Sequence, residues 1–173
     1  MAASHRAILA LILLFSSSAA TIAGAQPAAA DGGRTTHLHF YMHEFFNGGP
    51  NGSTARVAPP ARSGGSLFGF VSVVDDALRE GADPASRLVG RAQGLAAGTS
   101  LADGSVTTML DFGSTVAAFG VALPLPGGAA MERPVVGGTG AFRTARGYTL
   151  SRTVKTADPN SQVILEYDVY ISH

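Results

Sequence analysis

Thr35-Thr36-His37-Leu38-His39-Phe40-Tyr41-Met42-His43-Glu44 is the stretch on which the fold turns. Leu38, Phe40, Met42 and Glu44 fall on one side of it, and His37, His39, Tyr41 and His43 on the other, a period of two that belongs to a β-strand. Runs of β-branched and aromatic residues follow at Leu67–Asp75, Leu88–Gly94, Ser105–Phe112, Thr115–Leu123, Val135–Val136, Gly147–Lys155 and Gln162–Ile171. Gly, Pro, Asp and Ser part them. Arg56–Ala58 adds a short strand ahead of Pro59-Pro60, a pair that a central strand does not accommodate. No segment sustains a 3.6-residue apolar period over the roughly 10 to 12 residues of a helix, so the chain reads as all-β. Two features favour a barrel over a sandwich. The last strand ends near the C-terminus with apolar residues on both faces, as a closing strand would, and Gly69, Gly90, Gly94 and Gly120 suit the bends of a small barrel.

The 173 residues make one domain's worth of chain, but the first of them stand apart. His5 and Arg6 precede an unbroken apolar run, Ala7–Phe15, and Ser16–Gln26 then turns small and polar around Ala23-Gly24-Ala25. A membrane span takes about 20 apolar residues. Residues 1–25 therefore read as a secretory signal peptide cleaved after Ala25, with Ala20 as the alternative. Residues 26–34 form a flexible leader and 35–173 the folded domain. Cleavage removes Arg6 and leaves 11 basic residues against 12 acidic ones. A near-neutral domain without a basic patch is suited neither to nucleic acid nor to an anionic membrane surface. Cysteine is absent, which excludes thiolate metal sites and cysteine nucleophiles and leaves a secreted domain to rest on its core. Asn51-Gly52-Ser53 is an N-glycosylation acceptor in a Gly/Pro-rich loop.

Three patterns invite a chemical reading, and each meets an obstacle. His37-x-His39-x4-Glu44 has the look of half a cupin metal motif, and two imidazoles with a carboxylate suit manganese or iron. A strand, however, sends both histidines to one face and Glu44 to the other, and the only later histidine is His173. The histidines are expected on the solvent or subunit face. Val135-Val136-Gly137-Gly138-Thr139-Gly140 lacks the third glycine of a dinucleotide fingerprint, which is Arg143 here, and strands rather than a helix follow. Its glycines serve turns. Ser63-Gly64-Gly65-Ser66 is a loop without a nucleophile elbow. In Asp75-Asp76 the side chains point apart, and one is expected to cap the turn after its strand.

Several segments together resemble the dirigent family. They are Phe40-Tyr41-Met42-His43-Glu44, then Phe68-Gly69 leading to Val73-Val74-Asp75-Asp76-Ala77-Leu78, then Val89-Gly90-Arg91-Ala92-Gln93-Gly94 and Gly113-Ser114-Thr115. The longest is Glu132-Arg133-Pro134-Val135-Val136-Gly137-Gly138-Thr139-Gly140-Ala141-Phe142-Arg143, which continues to Ala145-Arg146-Gly147-Tyr148. Their order and spacing hold from about Leu38 to Ile171.

The resemblance implies an eight-stranded antiparallel β-barrel that is secreted to the apoplast, is glycosylated and forms a homo-oligomer, a dimer or trimer. It implies no cofactor and no metal. An external laccase or peroxidase makes phenoxy radicals from a monolignol such as coniferyl alcohol, and the barrel orients them so that coupling is stereoselective. Leu38, Phe40 and Met42 would line the pocket, and Glu44, where the family's best-studied members carry an Asp, would be its acid. A second pocket Asp of the family falls at Ala122 here, and the tyrosine after R-A-Q-G is replaced by Leu95-Ala96-Ala97. These departures point towards the disease-response-like members. Two alternatives remain open: a small-molecule cyclase or isomerase on the related allene-oxide-cyclase-like barrel, and a non-catalytic phenolic- or glycan-binding defence protein of the wall.

Overall fold

The computed structural model describes residues 34–46, 51–62, 66–113, 115–122, 130–154 and 162–173. The expected signal peptide and all of the expected leader except Arg34 lie outside them, as do residues 63–65 of the serine loop.

Nine strands are described: β1 (Thr35–Phe45), β2 (Thr54–Ala58), β3 (Val71–Arg79), β4 (Leu88–Gly98), β5 (Val106–Phe112), β6 (Val116–Ala122), β7 (Met131–Gly138), β8 (Arg146–Val154) and β9 (Gln162–Ser172). All pairings are antiparallel, in the order β1-β9-β8-β7-β6-β5-β4-β3-β2. An added seam, in which Tyr41, Met42 and His43 of β1 pair with Arg79, Leu78 and Ala77 of β3, closes eight of them into a barrel. β2 stands outside this ring and pairs with β3 alone, from Thr54 opposite Val74 to Ala58 opposite Val71. β3 is therefore shared: its C-terminal half meets β1 and its N-terminal half meets β2.

The eight-stranded antiparallel barrel expected from the sequence is thus the fold, with instructive differences in detail. β3 begins at Val71, not Leu67, and runs on to Arg79, so Asp75 and Asp76 lie inside a strand and neither caps its turn. β7 is longer than Val135–Val136 and holds Pro134. The ladder between β6 and β7 ends at Ala118 opposite Val135, one residue short of the proline that has no N–H to offer it. β9 is paired along its length with β1 and again with β8, as expected of a strand that closes the sheet, and none of its residues is exposed. Gly140 adopts φ 57° and opens a short 3-10 turn, Gly140–Phe142, after which the chain enters β8. Of the three glycines read as turn formers, Gly140 alone serves the turn; Gly137 and Gly138 lie in β7, where Gly138 is needed for close approach to Phe142. Gly94 is needed for close approach, since a Cβ there would sit 1.9 Å from the Met109 carbonyl oxygen on β5.

Inward-facing residues fill part of the barrel. Phe40, Phe112 and Tyr167 form a triangle with ring centroids 5.3 to 5.5 Å apart, joined by Leu78, Val116, Val135, Val169 and Ile171. Such aromatic contacts each add about 0.5–1.5 kcal/mol beyond the area they bury. Along β1 from Phe40 towards Glu44 the filling stops and a cavity opens.

Candidate acid pocket

The cavity has a volume of about 580 Å³, and its wall is mostly apolar: Met42, Phe70, Val74, Leu110 and Leu165 contribute to it. Such a volume and lining suit a small, largely apolar ligand held by a few polar groups. Glu44, Asp76, Arg133 and the more exposed Arg56 are its charged groups, and Thr54, Ser72 and Tyr167 lie among them.

Strand alternation supplies all three. Met42 and Glu44 share the inner face of β1. Val74, Asp76 and Leu78 share the inner face of β3, and Asp76 is fully buried. Asp75, one residue away, points outward to an ion pair with Arg91. Arg133 sits between Met131 and Val135 on the inner face of β7 and is 2% exposed.

Burial favours the neutral form of a carboxyl group. It raises Asp76 to about 8, helped by the negative charge of nearby Glu44 and opposed by a hydrogen bond from Ser53. Burial also raises Glu44, opposed by a hydrogen bond from Thr54. Ser53 Oγ donates to Asp76 Oδ1 at 2.5 Å, and Thr54 Oγ1 donates to Glu44 Oε1 at 2.9 Å. The second oxygen of Asp76, Oδ2, is buried and has no partner. Arg133 donates through Nη1 to Ser151 Oγ at 2.9 Å and to Tyr167 Oη at 3.2 Å, while its buried Nε is unpartnered. Among the described residues no carboxylate pairs with Arg133. A buried cation and two acids whose neutral forms burial favours, in one apolar chamber, can bind a carbonyl or phenolic oxygen and hand it a proton.

Of the residues expected in the pocket, Met42 and Glu44 line the cavity. Phe40 is buried in the aromatic triangle, and Leu38 is half-buried against the core. Asn51 is exposed in the turn before β2. Ala122 lies in β6, but its side chain is outside the description. His37 and His39 converge outside the barrel on Asp168 Oδ1, at 2.8 and 3.0 Å, on the face opposite Glu44. His43 departs from expectation. It lies on the face turned away from the cavity but is 1% exposed, covered by the β3–β4 hairpin, with Nε2 3.0 Å from the Gly81 carbonyl oxygen. Asp76, Arg133, Tyr167 and Thr54 were not anticipated as pocket groups, nor was Ser53 as the partner of Asp76.

A family model described as "Dirigent-like protein" matches residues 35–172. The chain is 39% identical to Dirigent protein 1 of Arabidopsis thaliana over 147 residues, covering 80% of this chain and 79% of that one. It is 37% identical to Pterocarpan synthase 1 of Glycine max, covering 80% and 78%. The solved structure of the pterocarpan synthase dirigent protein GePTS1 superposes with a TM-score of 0.71 at 33% identity, covering 84% of this chain and 88% of that one.

Proposed function

The chain belongs to the dirigent family, and on that premise we propose that its pocket steers the stereochemistry of a phenolic coupling and protonates the intermediate that coupling produces. One observation carries this reading: two carboxyl groups, both pushed towards the neutral form, line a single apolar cavity.

The substrate proposed is a monolignol such as coniferyl alcohol. An external laccase or peroxidase removes one electron and one proton from each of two molecules. The pocket orients the resulting phenoxy radicals, whose unpaired electrons form the new C–C bond. The product is a quinone methide. Asp76 or Glu44 gives its proton to the quinone methide oxygen, a side-chain hydroxyl adds to the methide carbon, and the proton released by that hydroxyl restores the acid. Arg133, with an unsatisfied Nε at the cavity wall, holds the oxygen on which negative charge collects. No oxidation is asked of the protein itself.

A second reading is favoured by the relatives named pterocarpan synthases. The same acids would close a ring within one phenolic substrate, making the protein an enzyme that needs no radical source. Either reading places it in the apoplast after signal-peptide removal, and the exposure of Asn51 supports glycosylation there.

Chiral chromatography of products from coniferyl alcohol, with and without added laccase, tests the proposal. With the protein present, enantiomeric excess is expected only when laccase is added. Racemic product would sink it, and ring closure of a single, uncoupled phenolic substrate without laccase would establish the second reading.

A further inference from the structure

Ser53 and Thr54 lead into β2 where β1 and β3 part. Ser53 is held by both neighbours. Its N–H donates to the Phe45 carbonyl at 3.1 Å, and its own carbonyl accepts from the Asp75 N–H at 2.8 Å. Its Oγ accepts from the Phe45 N–H at 2.8 Å while its hydroxyl proton goes to Asp76 Oδ1. Because Ser53 stands one residue before β2 begins, strand alternation does not separate its side chain from that of Thr54. Two consecutive hydroxyls therefore reach the two acids.

We infer that Ser53 and Thr54 are positioning residues for the pocket acids, each donating to one carboxyl oxygen and so directing the acidic proton to the other. A neutral carboxyl that accepts through one oxygen carries its proton on the second. For Asp76 that second oxygen is Oδ2, the buried atom left without a partner, on a side chain that lines the cavity. Asp76 thus presents an O–H donor to whatever oxygen the cavity admits. A hydroxyl that donates to a carboxyl also favours its ionised form, so Ser53 sharpens the acid it orients. Burial alone would make Asp76 a weaker acid still.

This inference rests on the reading of Asp76 and Glu44 as proton donors, and its test is chosen to stand apart from activity. Ser53 is also the third residue of the Asn51 acceptor triplet. Its removal would delete a glycan along with a hydrogen bond, so the variants are compared in an Asn51→Gln background. The carboxyl carbon of Asp76 is followed by carbon-13 NMR through a pH titration of the full secreted chain. Ser53→Ala is expected to move its midpoint upward by about one pH unit, the equivalent of one charge-assisted hydrogen bond. Ser53→Thr is expected to restore it, and the alkaline limb of the selectivity–pH profile should move with it. A purely structural role would leave both unmoved. An Asp76 midpoint unchanged in a folded Ser53→Ala variant overturns the inference. Should that variant fail to fold, Thr54→Val, which keeps the side-chain shape, decides on Glu44 by the same criterion: an upward shift supports it and no shift overturns it. A shifted midpoint in a protein that never directs coupling supports the positioning role and counts against the proposed function alone.

Discussion

Glu44 and Asp76 stand at the same step of the β1–β3 seam, one residue beyond its last pair, His43 and Ala77. From that step onward β3 pairs with β2 instead, and the gap between the parting strands is where the cavity begins. Neighbouring carboxylates repel, and here both are also withdrawn from water, so both are shifted towards the neutral form and Asp76, beside the charge of Glu44, is raised to about 8. The topology of closure and the chemistry of the pocket thus have one origin.

Asp76→Asn and Glu44→Gln preserve shape and hydrogen-bonding capacity on one side of each carboxyl while removing the proton. Loss of a positioned acid lowers rates by roughly 10²–10⁴-fold. Each variant should fold and bind a phenolic ligand as the wild type does, yet lose most of its effect on the product. Parallel measurements of ligand binding by calorimetry and of enantiomeric excess check this. Equal excess in wild type and both variants would leave pocket shape as the sole source of selectivity.

Stability should fall as pH rises. Asp76 is raised from 3.8 to about 8 in the folded protein. Between those values the folded state holds a proton that the unfolded chain has lost, so its stabilising effect is full below about pH 4 and is lost progressively up to about pH 8. Four units correspond to about 5 kcal/mol, an upper bound for this group. Glu44 acts in the same direction. His43, lowered by burial, acts oppositely but only below its unfolded pKa of about 6.5. Melting curves of wild type and Asp76→Asn isolate the acid: the variant should gain relative stability from pH 5 to pH 8. Parallel curves would contradict the raised pKa.

The barrel was legible because alternation along β1 and the turn chemistry between strands are local properties of the chain. The pocket was legible only where that alternation was followed. Glu44 was found because it shares a face with Phe40 and Met42. Asp76 carries the same signal, an acid on the apolar face of Val74 and Leu78, but ending the strand at Asp75 hid it. Arg133 likewise alternates with Met131 and Val135. The roles of Ser53 and Thr54 could not be read, since they depend on β2 leaving the ring, a tertiary event with no local signature. His43 shows the converse: outward alternation was right, but the hairpin that covers it lies 38 residues away in sequence.

Arg133→Met should weaken binding without unfolding the barrel. Its partners Ser151 and Tyr167 are neutral, so no carboxylate is stranded when the cation is removed. Replacing a buried charge with an apolar side chain of similar length is often neutral or stabilising. A lost charge-assisted hydrogen bond to a ligand oxygen is worth about 1.5–3 kcal/mol, or roughly 10- to 150-fold in Kd. Calorimetric titration with a phenolic ligand, beside a melting curve, measures both effects. Unchanged affinity would remove Arg133 from the binding site.

Oligomerisation should run through the outer face of β3 to β6. Val73 is opposite Leu95, Leu95 opposite Met109, and Met109 opposite Phe119, so four large apolar side chains form one row across four hydrogen-bonded strands. Each is between 41% and 49% exposed, although every one could have been polar without disturbing the core. Contiguous apolar surface of this kind marks an association site. The row contains no charge, so what covers it must itself be apolar there, and apolar surface on another copy of this chain meets that need. Sedimentation equilibrium at micromolar concentration should therefore give the mass of two or three chains. Leu95→Glu with Phe119→Glu places like charges in the contact while leaving the interior untouched, and should yield monomers whose melting temperature no longer depends on concentration. A wild-type monomer, or an oligomer indifferent to both charges, would show that this row is not the interface.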